Sequence, residues 1–326
     1  MFVQREHKHT IENLEEVARD PSFPPLEEHL IRKTSKGNTM SHERISPTAW
    51  LVAYERTFSD IPLSAEIFQE LEKIIGQAPS NPDIARIDAL KSAQIAVFWE
   101  ARFKIVNHIL KMQQAKQVLE IAAGFSPRGL NMARDASVTY VEVDLPELAV
   151  DKRQIIGTLI DHARIPAQPN FHLVEGDALN LDDLLSATRF FADAPVAIVN
   201  EGLLGYWDRR ERATFAQNVH TLLERFGGVW ITPDIAVQLT NETLGQFAEQ
   251  VQARAAQTET ITGIDLLKNR FENEEAARAF FEHLGFQIER HTFVEVADQL
   301  VSGSQAQPTQ KVMEQSVLYV MTVKPQ

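Results

Sequence analysis

The chain has no cysteine in its 326 residues. That absence excludes disulfides, thiolate metal sites and cysteine nucleophiles, and it fits a reducing cytoplasm. No apolar run approaches the roughly 20 residues that span a bilayer, and the polar opening MFVQREHKHT carries no signal-peptide core. The expectation is a cytoplasmic protein with no membrane partner. Basic residues are also in deficit, 32 against 45 acidic ones, for a formal net charge of -13. A general affinity for nucleic acid needs a basic face, so no nucleic-acid partner is expected. Two phosphate-binding fingerprints are missing as well, G-x-G-x-x-G and the G-K-[ST] ending of a phosphate loop. The ten histidines show no H-x-x-x-H or H-E-x-x-H spacing in a helical context that would serve, and no metal is expected.

What is present suits an ordinary globular protein: 44% hydrophobic and 24% charged residues, enough for a sizeable core. The length allows two domains or one large α/β domain with an elaboration. Residues 1–39 are polar, end in a glycine-containing linker at 35–38, and read as an appendage. Residues 40–112 are helical throughout and read as a cap. Ser46-Pro47 and Ser64 offer N-caps there, Pro79 and Pro82 break the chain, and Ile87, Leu90, Ala93 and Val97 share one face of a long helix. From residue 113 to 326 strands and helices alternate. Strand-like runs at 118–121, 139–143, 171–174, 196–199 and 229–232 are separated by helical patterns at 148–163, 181–191 and 209–226, the last stopped by Gly227-Gly228. A helix at 274–284 precedes two closing strands, 286–290 and 317–323, with a loose polar segment at 302–310 between them. Such alternation implies a parallel sheet with right-handed crossovers.

In a sheet of this kind ligands sit beyond the carboxyl ends of the strands. The first end reads V-L-E-I-A-A-G-F-S-P-R. Val118, Leu119 and Ile121 run into two alanines and Gly124, where small residues let a ligand approach the backbone beside a helix N-terminus. With Glu120 inside the strand, the pattern E-x-A-x-G is nearer the acidic glycine loop of S-adenosylmethionine (AdoMet) enzymes than a dinucleotide fingerprint. A packed strand-helix corner is the other reading. The second end, Y-V-E-V-D-L-P, puts Asp144 at its tip about 20 residues past the glycine, where a carboxylate can accept both ribose hydroxyls. Glu142 is its neighbour on the same pleat face, either a rival or a solvated edge group. The third end, V-E-G-D-A-L, offers Asp177 to an adenine amino group, with Ala178 and Leu179 beside the ring; a helix N-cap is the alternative for that aspartate. The fourth, N-E-G-L-L-G-Y, carries Glu201 after a wholly apolar run. A buried acid needs a partner, either the ligand's amino group or an internal arginine. Upstream, Arg102 in E-A-R can grip a carboxylate by two parallel bonds, that of the cofactor or of the acceptor, or can be a plain surface group.

Taken in order, S-P-T-A at Ser46, E-A-R ending at Arg102, E-I-A-A-G-F-S-P-R, Y-V-E-V-D-L-P, G-D-A and N-E-G-L-L-G-Y resemble the leucine carboxyl methyltransferase family, including its bacterial polyketide-type O-methyltransferase branch. The resemblance covers roughly residues 46–234. It implies a seven-stranded Rossmann-like methyltransferase sheet with an N-terminal helical cap, AdoMet as cofactor, and an acceptor carboxylate or hydroxyl on a small molecule or peptide terminus. Carried over by position, the cofactor contacts are Arg102, Gly124, Asp144, Asp177, Ala178, Leu179 and Glu201, with Tyr206 near the pocket. Glu120 joins the cofactor set, and Arg102 and Tyr206 are the catalytic candidates. Two departures stand out: the first loop reads A-A-G-F-S-P where G-A-G is common, and the leucine or methionine usual after the tyrosine is Trp207. A carboxylate acceptor needs no general base; a hydroxyl acceptor does, with Tyr206, Asp234 and Tyr54 as candidates. The rival readings are an NAD(P)-dependent oxidoreductase on a similar sheet and a catalytically silent AdoMet-binding protein.

Overall fold

The computed structural model describes residues 46–77, 89–238, 248–302 and 310–324, all inside the unit 43–326. The appendage expected over residues 1–39 lies outside the described residues, as do the break at Pro79 and Pro82, Ile87, and positions 303–309 of the loose segment. The strands are β1 (Gln117–Ile121), β2 (Thr139–Asp144), β3 (Phe171–Glu175), β4 (Val196–Asn200), β5 (Gly228–Thr232), β6 (Phe286–Thr292) and β7 (Val317–Val323). The helices are α1 (Ser46–Arg56), α2 (Ser64–Gln77), α3 (Ala89–Met112), α4 (Arg128–Met132), α5 (Pro146–Asp161), α6 (Leu181–Ala187), α7 (Arg209–Phe226), α8 (Ala248–Thr262), α9 (Glu274–His283) and α10 (Gln310–Gln315). Short 3-10 segments cover Thr188–Phe190, Leu204–Tyr206 and Phe293–Gln299.

The sheet order is β3-β2-β1-β4-β5-β7-β6. The first five strands pair in parallel, and β7 runs antiparallel to both β5 and β6. This is the seven-stranded Rossmann-like sheet expected from the alternation. From β1 the chain moves outward to β2 and β3 and then returns to β4 on the other side. That reversal leaves a crevice at the carboxyl ends of β1 and β4.

Both faces of the sheet are covered, which explains why its central strands read as unbroken apolar runs. On one face α3 lies against the strands. Ala101, Ile105, Val106, Ile109 and Leu110 recur at helical spacing and pack on Val118, Tyr140, Val199 and Ile231. Each fully buried valine, leucine or isoleucine among them contributes about 1.5–3 kcal/mol. On the other face Trp230 meets Phe215, Phe281 and Phe286 edge-on, at centroid distances of 5.3–5.5 Å. The helices before β1 therefore divide. The inner part of α3 covers the sheet, whereas Ala53 of α1 and Ile67 and Leu71 of α2 join Phe125, Leu130, Leu148 and Leu159 in a separate cluster above the loop after β1.

Some local expectations need correction. Ser64 opens α2 itself rather than capping it, and its buried hydroxyl has no hydrogen-bond partner. Helix α5 begins at Pro146, two residues before the apolar pattern, because proline suits the first turn. The stretch between β5 and α9, to which the pattern assigned no element, contains α8 and a parallel bridge between Val237 and Phe271. By contrast α7 has the bounds its sequence gives. Asp208 and Glu211 form a reciprocal capping box at its start, and Gly227 ends it at φ 69°.

Candidate functional site

At the end of β1 the backbone turns through Ala122 (φ 55°) and Gly124 (φ 52°), both left-handed. Glycine adopts that region freely, while a residue with a Cβ pays about 1–2 kcal/mol. A Cβ added at Gly124 would meet only Ala49 Cβ, at 3.7 Å, so a ligand can come close to the backbone there.

The tip of β2 holds this loop. Asp144 Oδ2 accepts the Gly124 N–H at 2.7 Å and Oδ1 accepts the Leu145 N–H at 2.9 Å. Burial pushes its pKa up against the pull of those two bonds. Each oxygen keeps a second lone pair, which is what a pair of ribose hydroxyls requires. Glu142, read as a possible edge group, is fully buried. Its Oε2 lies 2.5 Å from the ammonium of Lys152, which also donates to Ser126 O at 2.8 Å. Burial takes the Glu142 pKa to about 7 despite Lys152. The Gly176 N–H donates to Asp144 O, which sets the end of β3 beside that of β2. Asp177 there is no helix cap, since Asn180 caps α6. Its Oδ1 accepts the Leu179 N–H at 2.9 Å in a tight turn, and Ala178 O accepts from Asn218 at 3.2 Å.

Around the switch point the acids meet arginines. Glu120, paired across the sheet with Glu142, bonds Arg128 through Oε1 and accepts the Tyr140 hydroxyl at 2.7 Å on Oε2. Arg128 is completely buried and reaches on to Glu201 Oε2 at 2.7 Å and to Asn107 at 2.9 Å. Glu201 Oε1 takes Arg56 of α1 at 2.9 Å, with Arg102 Nε 3.8 Å away. Burial alone would raise the Glu201 pKa, but Arg56, Arg128 and Arg102 bring it to about 2. The structure thus gives Glu201 the internal arginine partners. Arg102 is bonded to Asp234, and its buried Nε–H closes no hydrogen bond. Asp234 also accepts from Asn200 at 2.8 Å and from the N–H groups of Gly202, Leu203 and Leu204 at 2.7, 2.7 and 3.2 Å, so it shapes the loop after β4. Tyr206, in that loop, donates to Thr48 Oγ1 at 3.0 Å, and burial raises its pKa.

Arg102, Glu120 and Glu201 therefore stand in one connected cluster, Gly124 and Asp144 in a second beside it, and Asp177, Ala178 and Leu179 in a third at the end of β3. Sequence reasoning missed Arg56 and Arg128. The requirement that a buried acid be compensated pointed to such cations without saying which. The loop open above Gly124, the spare lone pairs of Asp144 and the unpartnered N–H of Arg102 fit a ligand with a ribose and a carboxylate.

The sheet and its acidic glycine loop define the class: an AdoMet-dependent methyltransferase, with AdoMet as its cofactor. The leucine carboxyl methyltransferase family model matches residues 67–220. No curated protein matches the chain. Among solved structures, magnesium protoporphyrin IX methyltransferase (ChlM) from Synechocystis PCC 6803 with bound SAH is 10% identical. The similarity covers 79% of this chain and 94% of that one, at a TM-score of 0.46. A putative methyltransferase from Thermobifida fusca YX is 13% identical over 75% of this chain and 86% of its own, also at 0.46. Among the described residues, no helix is long and apolar enough to cross a membrane.

Proposed function

We propose that the protein is an O-methyltransferase, moving the methyl group of AdoMet to a carboxylate or hydroxyl oxygen on a small molecule or peptide terminus. The observation that supports it most is the meeting of Gly124, Asp144, Arg102 and Glu201 at neighbouring strand tips, with Asp177 one strand further out. In this reading Asp144 takes the ribose hydroxyls, and Asp177 with Ala178 and Leu179 takes the adenine edge. Arg102 grips the methionine carboxylate through its spare N–H. Glu201 fixes Arg102 and is the acid nearest the amino group, while Glu120 acts through Arg128. Tyr206 ties the loop after β4 to α1, which with α2 forms the cap over the site. When bound, AdoMet supplies a methyl group already activated on a sulfonium. The chain's own work is then to position the acceptor and exclude water.

Calorimetry of the purified protein with AdoMet, S-adenosylhomocysteine (SAH) and NADH tests this reading. Heat with the first two and none with NADH is expected. Silence with both sulfur nucleosides would end it.

A further inference from the structure

Helix α1 turns Glu55 inward next to Arg56, and the residue is only 3% exposed. Its Oε1 pairs with Arg254 Nη1 of α8 at 3.1 Å, while its Oε2 is buried with no hydrogen-bond partner. Leaving such an atom unpaired costs about 1–3 kcal/mol. From α3, the indole Nε1 of Trp99 faces this carboxyl, yet it closes no hydrogen bond of ordinary geometry either. The ring of Trp99 carries two guanidinium groups, Arg254 at 5.7 Å and Arg102 at 5.5 Å from its centroid. Arg102 is the arginine that reaches Asp234 and Glu201. The Glu55 carboxyl thus stands one aromatic ring away from the cofactor cradle, on the cap side, and nothing derived above uses it.

Its neighbours are poor proton acceptors. Tyr206 is held in the protonated form by burial, and its hydroxyl is spent on Thr48. Asp234 is engaged by five donors. Tyr54, packed edge-on against Phe58 at 5.2 Å, is also shifted up by burial, with help from Glu72 and Glu55. Glu55 is different. Burial lifts its pKa to about 7, against Arg254 from α8, Trp99 from α3 and Arg56 on its own helix, so it exchanges a proton near neutrality.

We propose that Glu55 is the general base of this site and that the acceptor is an alcohol or phenol rather than a carboxylate. A hydroxyl completes both open contacts at once, donating to Glu55 Oε2 and accepting from Trp99 Nε1. A carboxylate would set a second anion against Glu55 and needs no base. In the step, the acceptor oxygen forms its bond to the methyl carbon. The carbon–sulfur pair stays on sulfur to give SAH, and the hydroxyl proton passes to Glu55. The inference rests on the reading above, that the cradle holds AdoMet and that oxygen is methylated.

The test uses SAH-loaded protein titrated with p-cresol or p-toluate, following the fluorescence difference between wild type and Trp99→Phe. Turnover with AdoMet is then assayed by alkaline treatment of the product, which releases methanol from an ester and leaves an ether intact. Quenching by p-cresol and an alkali-stable product are expected. Glu55→Gln should lower kcat by about 10²–10³-fold and abolish the rate limb that rises through about pH 7 in the wild type, with the SAH Kd unchanged. Glu55→Asp should restore part of the rate and shift that limb, and it carries the test if the glutamine variant does not fold. Quenching by p-toluate with an alkali-labile product, a Glu55→Gln variant as fast as wild type, or no response to p-cresol at millimolar concentration would each overturn the proposal. Failure of SAH itself to bind would instead overturn the cofactor reading beneath it.

Discussion

Asp144 joins two tasks in one carboxylate, holding the Gly124 N–H and, in the proposed reading, presenting its remaining lone pairs to a ribose. Asp144→Ala should therefore loosen the loop and lose the sugar contact together, weakening AdoMet by roughly 1.5–3 kcal/mol, the scale of a hydrogen bond to a charged group. Calorimetric affinity unchanged by the substitution would remove Asp144 from the site. Positions like this one were legible in the sequence because an acid ending a run of Val and Ile at a strand tip is conspicuous. Their partners were not. Arg56 is 145 residues from Glu201 and Arg128 is 73, and no local pattern connects residues so far apart. Glu55 was invisible for a further reason: beside Arg56 on a helix it reads as an ordinary surface pair, and only burial gives it chemistry.

At the scale of elements, α4 depends on a missing side chain. A Cβ at Gly129 would stand 2.6 Å from Glu142 Oε1 and 2.6 Å from Phe171 Cε2, with Tyr140 Cδ1 at 2.9 Å, so the helix lies on β2 and β3 only because that carbon is absent. Gly129→Ala should destabilise the protein by about 1–3 kcal/mol through overpacking, read as a lower urea midpoint. Arg128, in the same helix, compensates acids on β1 and after β4. Arg128→Met leaves Glu120 buried without its cation and Glu201 with Arg56 as its close partner, with an expected loss of about 3–5 kcal/mol that shrinks as pH falls and Glu201 protonates. A loss independent of pH would contradict that account. The alternation of strand and helix was readable because period-2 and period-3.6 patterns differ in kind. It failed between β5 and α9, where α8 shows no clear apolar stripe, and at Ser64, where burial withdraws the hydroxyl from the helix end.

For the whole molecule the buried acids set opposing pH dependences. Glu55 and Glu142 have folded pKa values of about 7, above the 4.5 of a free glutamate. Their stabilisation is complete below about pH 4.5 and is lost as pH rises through 7. Glu201, depressed to about 2, stabilises above pH 4.5 and loses that contribution as pH falls toward 2. Stability should therefore peak near pH 5 and decline toward pH 8. Each raised carboxyl accounts for at most on the order of 3 kcal/mol of that decline. Urea midpoints at pH 5 and pH 8 check the sign, and Glu142→Gln should flatten the slope.

Six charges in the cradle cancel: Glu120, Glu201 and Asp234 against Arg56, Arg102 and Arg128. Asp144 and Asp177, outside those six, and the surplus of anions over the whole protein, -13 in all, therefore set the field that an approaching molecule meets. The methyl donor is a net cation and SAH is neutral, so long-range attraction hastens the arrival of the one and does nothing to recapture the other. Dilute buffer should accelerate donor association and leave product escape untouched, giving the enzyme a direction of traffic that owes nothing to the shape of its pocket.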